Sequence, residues 1–308
     1  MNLNHGKTLI CGDVIGITAP AGPVDVEMLE EAILAVKELG FQVVIGLTCY
    51  ENEGGYLAGP ALLRAQELNW MFANPDITAI LCLRGGYGTL QILHLLDYDL
   101  IARNPKKIVG YSDITALHIV LQQRSNLATI HGPMAASDLI SADDFTKESL
   151  LNVLMERNGY NFVINPKEEP IGCLVPGYVE GILTGGNLSV LVSTLGTPYE
   201  IDTCGKILFL EDIGEEPYKI DRMLTQLLLA GKLSDSSGIV LGTWNKCYSN
   251  KQGYQVEDLF EKLIKPLNKP TIFNLRAGHC SPMVTLPMGF PTILDATNCK
   301  LWNRYNKQ

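Results

Sequence analysis

The chain has 308 residues, 46% of them hydrophobic and 19% charged, with a formal net charge of −9. This length and apolar content suit a compact protein of one large or two smaller domains and exclude a disordered chain. The acidic balance, with no Lys/Arg cluster beyond short pairs, argues against nucleic acid and anionic membranes as partners.

The first residues lack a basic segment followed by an apolar one, so no signal peptide is evident, and no apolar run reaches the ~20 residues that span a bilayer. Eight cysteines are scattered without a C-x-x-C pair. In a chain of this size that pattern predicts free thiols in a reducing cytoplasm, with no disulfide framework and no zinc site.

In chain order, Val14 to Ala19 reads as a buried strand that ends in a Pro/Gly loop. Asp25 can cap the following helix, whose Leu29, Ile33, Val36 and Leu39 share one face before Gly40 stops it. Phe41 to Ile45 is a second strand. After a glycine-rich loop, Pro60 opens a helix that ends at Asn74-Pro75. Ile77 to Leu83 is nearly continuous in apolar residues, as a sheet covered on both faces requires. It runs into Arg84-Gly-Gly-Tyr-Gly88 and then a helix to about Leu96. Lys107 to Tyr111 is a further strand, Ile114 to Leu121 a buried helix, Leu127 to His131 a strand, and Asp143 to Arg157 a polar helix. This alternation predicts a parallel α/β sheet, with ligands gathered at the C-terminal ends of its strands.

The sequence then becomes irregular and polar. The expected organisation is an N-terminal α/β domain over 1–160, a linker over 161–176 and a smaller C-terminal α/β domain over 177–308. In the second half, Gly185-Gly-Asn-Leu-Ser189 has a helix-start context, and Ile207 to Glu211 is a strand ending in a carboxylate. Asp212 to Glu216 reads as a turn before a helix from Pro217 to about Leu229. Gly238 to Gly242, a helix near Val256 to Ile264, and Thr271 to Leu275 continue the alternation. A terminal hairpin closes the chain.

Candidate chemistry begins at Gly110-Tyr-Ser-Asp113. Strand, glycine, serine, helix is the layout of a nucleophile held on a sharp turn, where free backbone N–H groups can stabilise an oxyanion. An ordinary turn with Ser112 or Asp113 as N-cap fits the same residues, and this stretch alone leaves both readings open. A serine needs a base, and the base an orienting carboxylate. Of five histidines, His5 is terminal, His94 and His118 fall within helices, and His131 ends a strand with a structural role favoured. His279 follows Gly278 in a loop directly after a strand, where α/β folds place working residues. Glu211 ends an otherwise apolar strand, a costly place for an unpaired carboxylate. The order Ser112, Glu211, His279 matches that of α/β-hydrolases, but Ile114 replaces the second glycine of G-x-S-x-G. Gly86 and Gly88 give a G-x-G whose third position is Gln91, which is weak as a dinucleotide signal. As a backbone donor beside a nucleophile, Gly86 is plausible.

Six separated motifs in one order carry a resemblance. They are Arg84-Gly-Gly-Tyr-Gly88, Val109-Gly-Tyr-Ser-Asp-Ile-Thr115, His131-Gly-Pro133, Gly185-Gly-Asn-Leu-Ser189, Leu210-Glu-Asp-Ile213 with Ile220-Asp-Arg-Met-Leu224, and Gly278-His279 with Thr285-Leu-Pro-Met-Gly289. Together they resemble the LD-carboxypeptidase family of serine peptidases, which also contains the microcin-C immunity peptidases. The resemblance implies a flavodoxin- or glutamine-amidotransferase-like N-terminal domain, a C-terminal α/β domain and an active site in the cleft between them. It implies a cytoplasmic, homodimeric hydrolase of murein recycling that releases the terminal D-alanine of tetrapeptides across an L,D bond, with no metal or organic cofactor. Carried over by motif, Ser112 is the nucleophile, His279 the base and Glu211 its orienter. The backbone N–H groups of Gly86 and Asp113 form the oxyanion hole. Arg84 either pairs with a substrate carboxylate or holds its own loop, and Pro60 departs from the polar residue expected there. The rival within the family cleaves aminoacyl or peptidyl nucleotide amides; such members carry a longer segment between serine and glutamate with an aromatic loop for adenine, whereas here that segment has no tryptophan. A non-catalytic binding protein of the same fold is the third reading.

Overall fold

The computed structural model describes residues 3–157, 162–248 and 253–303. Strands β1 (Val14–Thr18), β2 (Gln42–Ile45), β3 (Ala79–Cys82), β4 (Lys107–Gly110) and β5 (Thr129–His131) pair in parallel in the order β5-β4-β3-β1-β2. β3 and β4 are buried at every position, as their unbroken apolar runs require. The helix Val26–Glu38 is capped by the Asp25 carboxylate, which accepts from Met28 N at 2.8 Å. One further helix, Tyr98–Arg103, was not expected; Asp97 caps it by accepting from Leu100 N. It fills the stretch between Leu96 and the strand at Lys107.

The second half contributes β6 (Phe162–Val163), β7 (Gly172–Val175), β8 (Tyr178–Asn187), β9 (Ile207–Ile213), β10 (Gly238–Asn245), β11 (Thr271–Phe273), β12 (Leu286–Met288), β13 (Pro291–Asp295) and β14 (Lys300–Asn303). All but β12 form a mixed sheet in the order β6-β14-β13-β8-β9-β10-β11-β7, with β8 to β11 parallel at its centre. β13 and β14 are the expected terminal hairpin. The proposed boundary near 158–161 lies outside the described residues, while 162–176 supplies two edge strands of this sheet. β9 runs on through Asp212 and Ile213, so Asp212 is a strand residue rather than the start of a turn.

β12 leaves this sheet and pairs antiparallel with β5, placing Leu286 opposite His131. The two halves therefore share a strand as well as a face. The helix Thr115–Arg124 lies in that face: Leu117 and Val120 pack into the first core, while Ile119 packs with Leu188 and Leu191 of the second. It is buried at every position from Thr115 to Gln122, which accounts for its lack of a polar stripe.

Candidate functional site

Ser112 stands where β4 gives way to a single 3₁₀ turn, Ser112–Ile114, ahead of the long helix. Its φ is +61°, in the left-handed region that a non-glycine residue adopts at a cost of about 1–3 kcal/mol. Neither Ser112 nor Asp113 caps the helix with a side chain. Instead the buried Asp113 carboxylate accepts from Thr89 N at 2.8 Å, and the Thr89 hydroxyl donates to Asp113 O at 2.7 Å. That double link ties the serine turn to the loop holding Gly86. Gly85 lies against the serine: a Cβ there would stand 2.9 Å from Ser112 Cβ and 3.1 Å from Oγ, so only glycine lets the two loops meet. Gly86 and Tyr87 are exposed at the crest of that loop.

The other half of the site hangs on the end of β9. Glu211 is fully buried, and its Oε2 meets His279 Nδ1 at 2.7 Å and accepts from His279 N at 3.3 Å. Because a carboxylate only accepts, Nδ1 carries the proton and Nε2 is the free base position. Oε1 accepts from Asn187 Nδ2 at 3.2 Å, and the same amide donates to Asp212 Oδ1 at 3.1 Å. Gly278 has φ +102°, and any Cβ there would overlap the Glu211 carboxylate. Burial lowers the pKa of His279, but the hydrogen bond and charge of Glu211, with the charges of Asp212 and Asp138, outweigh it and leave the pKa raised.

The halves meet through Tyr111, the residue before Ser112. Its ring stands edge-on to the His279 imidazole at 4.8 Å between centroids, and its hydroxyl donates to Asp138 at 2.9 Å. Asn187 N donates to Thr115 Oγ1 at 3.0 Å, joining the end of β8 to the helix behind the serine. Ser112, Glu211, His279, Gly86 and Asp113 are thus drawn from both halves of the chain to one locality. His131 is fully buried, edge-on to Phe209 at 5.0 Å, with burial holding its pKa well below the ordinary value. His118 donates from Nε2 to Gly110 O at 2.8 Å. Both are packing histidines. Arg84 donates to Pro23 O at 3.1 Å, so at least one of its N–H groups holds a loop.

Arg64 escaped the sequence reading. Fully buried, it donates to Pro20 O, Gly59 O, Gly88 O and Gln91 Oε1, gathering three loops at the strand ends. Its signal was available: Arg64 occupies the same helical stripe as Leu68 and Met71, where a charged residue must be fully partnered. Asn187 and the Tyr111–Asp138 pair carried no local pattern that spacing could reveal.

Residues 15–132 match the LD-carboxypeptidase N-terminal domain and residues 180–294 its C-terminal domain. A probable murein peptide carboxypeptidase of Bacillus subtilis is 44% identical over 288 residues, covering 92% of this chain and 89% of that protein. The crystal structure of a muramoyltetrapeptide carboxypeptidase from Oxalobacter formigenes is 31% identical, with TM-score 0.82 over 96% of this chain and 100% of that one. A structure of MccF with glutamyl sulfamoyl guanosine is 25% identical, with TM-score 0.90 over 99% of each chain.

Proposed function

Because the chain belongs to the LD-carboxypeptidase family, we propose that it is a serine carboxypeptidase that releases the terminal D-alanine from murein tetrapeptides by hydrolysing an L,D-peptide bond. The observation that carries this reading is a serine on a left-handed turn whose neighbour Tyr111 meets the His279 imidazole at 4.8 Å between centroids, with His279 joined to Glu211 at 2.7 Å. Ser112 Oγ attacks the carbonyl on the L side of the scissile bond while His279 Nε2 takes its proton. Glu211 holds the imidazole tautomer and stabilises the imidazolium, without itself taking the proton. The N–H groups of Gly86 and Asp113 receive the tetrahedral oxyanion, each contributing about 3 kcal/mol in comparable sites. His279 then returns the proton to the leaving nitrogen, D-alanine departs, and water activated by the same base frees the acyl-enzyme. The rest of the reading is a homodimer in a reducing cytoplasm, the latter supported by eight cysteines that are all unpaired.

Cleavage of an aminoacyl or peptidyl nucleotide amide is the second reading, favoured by the high TM-score to MccF. The 44% identity to a murein peptide carboxypeptidase and the absence of tryptophan between Ser112 and Glu211 favour the first. Offering the enzyme a defined L,D-tetrapeptide and an acyl-sulfamoyl adenosine separates them; D-alanine release from the first, with the second untouched, is expected. Ser112→Ala should fold normally and lose at least about 10³-fold in kcat. Near-normal turnover by that variant would remove Ser112 from the mechanism.

A further inference from the structure

The loop that carries His279 also walls a cavity of about 510 Å³, lined in part by Trp244, Asn245, Arg276 and Cys280. Two buried donors there, Arg276 Nε and Trp244 Nε1, have no hydrogen-bond partner among the described residues. Arg276 is otherwise held loosely: Nη2 donates to Ser281 O at 3.0 Å, and Nη1 approaches Glu169 only to 4.0 Å. Among the described residues the one acid lining the cavity, Glu257, is exposed. A guanidinium with its Nε still unpaired, next to an indole N–H without a partner and beside the base, forms a receptor for an anionic, planar group with two acceptor oxygens, which is a carboxylate. The other arginines nearby are differently placed. Arg64 is fully buried and spent on four acceptors, and Arg84 reaches back to Pro23 O.

We propose that Arg276 and Trp244 bind the free C-terminal carboxylate of the leaving D-amino acid and thereby restrict the enzyme to the last bond of its substrate. The inference rests on the carboxypeptidase reading, in which His279 protonates the scissile nitrogen. The terminal carboxylate is one Cα from that nitrogen, so it must lie beside His279, and Arg276 is three residues away on the same loop. A substrate extended past this position places a neutral amide in the cavity and leaves both donors unpaired, which a site built for hydrogen bonding rejects strongly.

The test compares a tetrapeptide ending in L-lysyl-D-alanine with its C-terminal carboxamide. Wild-type enzyme should prefer the free acid. Arg276→Gln should lose roughly 10–100-fold in kcat/KM on the acid, mainly through KM, and change little on the carboxamide, so that the preference collapses; Arg276→Lys should restore part of it. An unchanged acid-to-amide ratio in Arg276→Gln would overturn the proposal and leave the carboxypeptidase reading intact, whereas a wild-type enzyme that cleaves neither peptide sinks both. Should Arg276→Gln fail to fold, product inhibition of the wild type serves instead. D-Alanine should inhibit and D-alaninamide should not, and Trp244→Phe should weaken the inhibition; equal inhibition by acid and amide overturns the assignment.

Discussion

His279 is subject to opposed influences whose balance fixes how the enzyme responds to pH. Burial disfavours the imidazolium, yet Glu211, Asp212 and Asp138 favour it more, so its pKa lies above the ordinary value of 6.5. In its proposed role as base, His279 must be neutral to take the Ser112 proton, so kcat/KM should fall as pH drops through this raised pKa, giving an acid limb centred above 6.5. For stability the sign is opposite. The raised pKa contributes stability that is complete below the unfolded value and lost as pH rises through the folded one, so the enzyme becomes active over the window in which it loses this contribution. Glu211→Gln removes the leading favourable influence and leaves burial, so the limb should move to lower pH while kcat drops by roughly 10³–10⁴-fold. A pH–rate profile of that variant with an unshifted limb would assign the limb to another group. The Asp113 side chain acts on stability instead. Its carboxylate holds Thr89 N in a buried turn, and Asp113→Ala should cost about 1–3 kcal/mol by orphaning that donor, read as a lower Tm.

At the level of elements, the site depends on strand ends and the turns that follow them. Gly278→Ala is the sharpest probe of the β11-to-His279 loop. Its φ of +102° and the overlap of any Cβ with Glu211 must displace either the loop or the carboxylate. Activity should fall by at least about tenfold with a stability loss of about 1–3 kcal/mol, measured by steady-state kinetics and thermal unfolding. The strands and helices legible in the sequence are those with uninterrupted signals. β3 and β4 are continuous apolar runs, and Val26–Glu38 has both a cap and a stripe. β8 was not legible as a strand because Gly181, Gly185 and Gly186 break its apolar pattern, while the closeness that demands those glycines comes from β9 and Thr115, remote in sequence. The helix Tyr98–Arg103 is too short for periodicity to register, leaving only the Asp97 cap as a sign. Ser112, Glu211 and His279 stood out because a serine on a strand-to-helix turn, a carboxylate in an apolar strand and a histidine in a loop after a strand are each hard to justify otherwise. Their partners Asn187, Tyr111 and Asp138 did not, since an asparagine cap, a tyrosine after a strand and a loop aspartate are ordinary in isolation.

The molecule as a whole joins its two halves twice. The long Thr115–Arg124 helix is shared by two cores, and the segment after His279 returns to the first sheet before it re-enters the second. On that return Met283 N donates to Thr146 Oγ1 at 2.8 Å and Thr285 N to Ser149 Oγ at 2.8 Å, and β12 then seals the edge of β5. We propose that 1–160 and 177–308 form two folding layers without a severable hinge between them. A fragment ending at 160 leaves β5 as an open edge and strips cover from Ile119, exposing backbone and apolar surface together. That fragment should aggregate or unfold without cooperativity, while the full chain should give one calorimetric transition whose van't Hoff and measured enthalpies agree. Two resolved transitions in the full chain would contradict this coupling. The expectation bears on chemistry as well as stability, because the proposed nucleophile rides on the first sheet and the proposed base on the strand-crossing segment. If the halves opened independently, the Tyr111–His279 contact would break with each opening. Thr285→Pro removes the N–H bonded to Ser149 beside β12 without touching the proposed catalytic residues, so it should depress kcat in step with the loss of cooperative unfolding. A variant that unfolds in separated steps yet keeps wild-type kcat would show that the site holds its register without the shared strand.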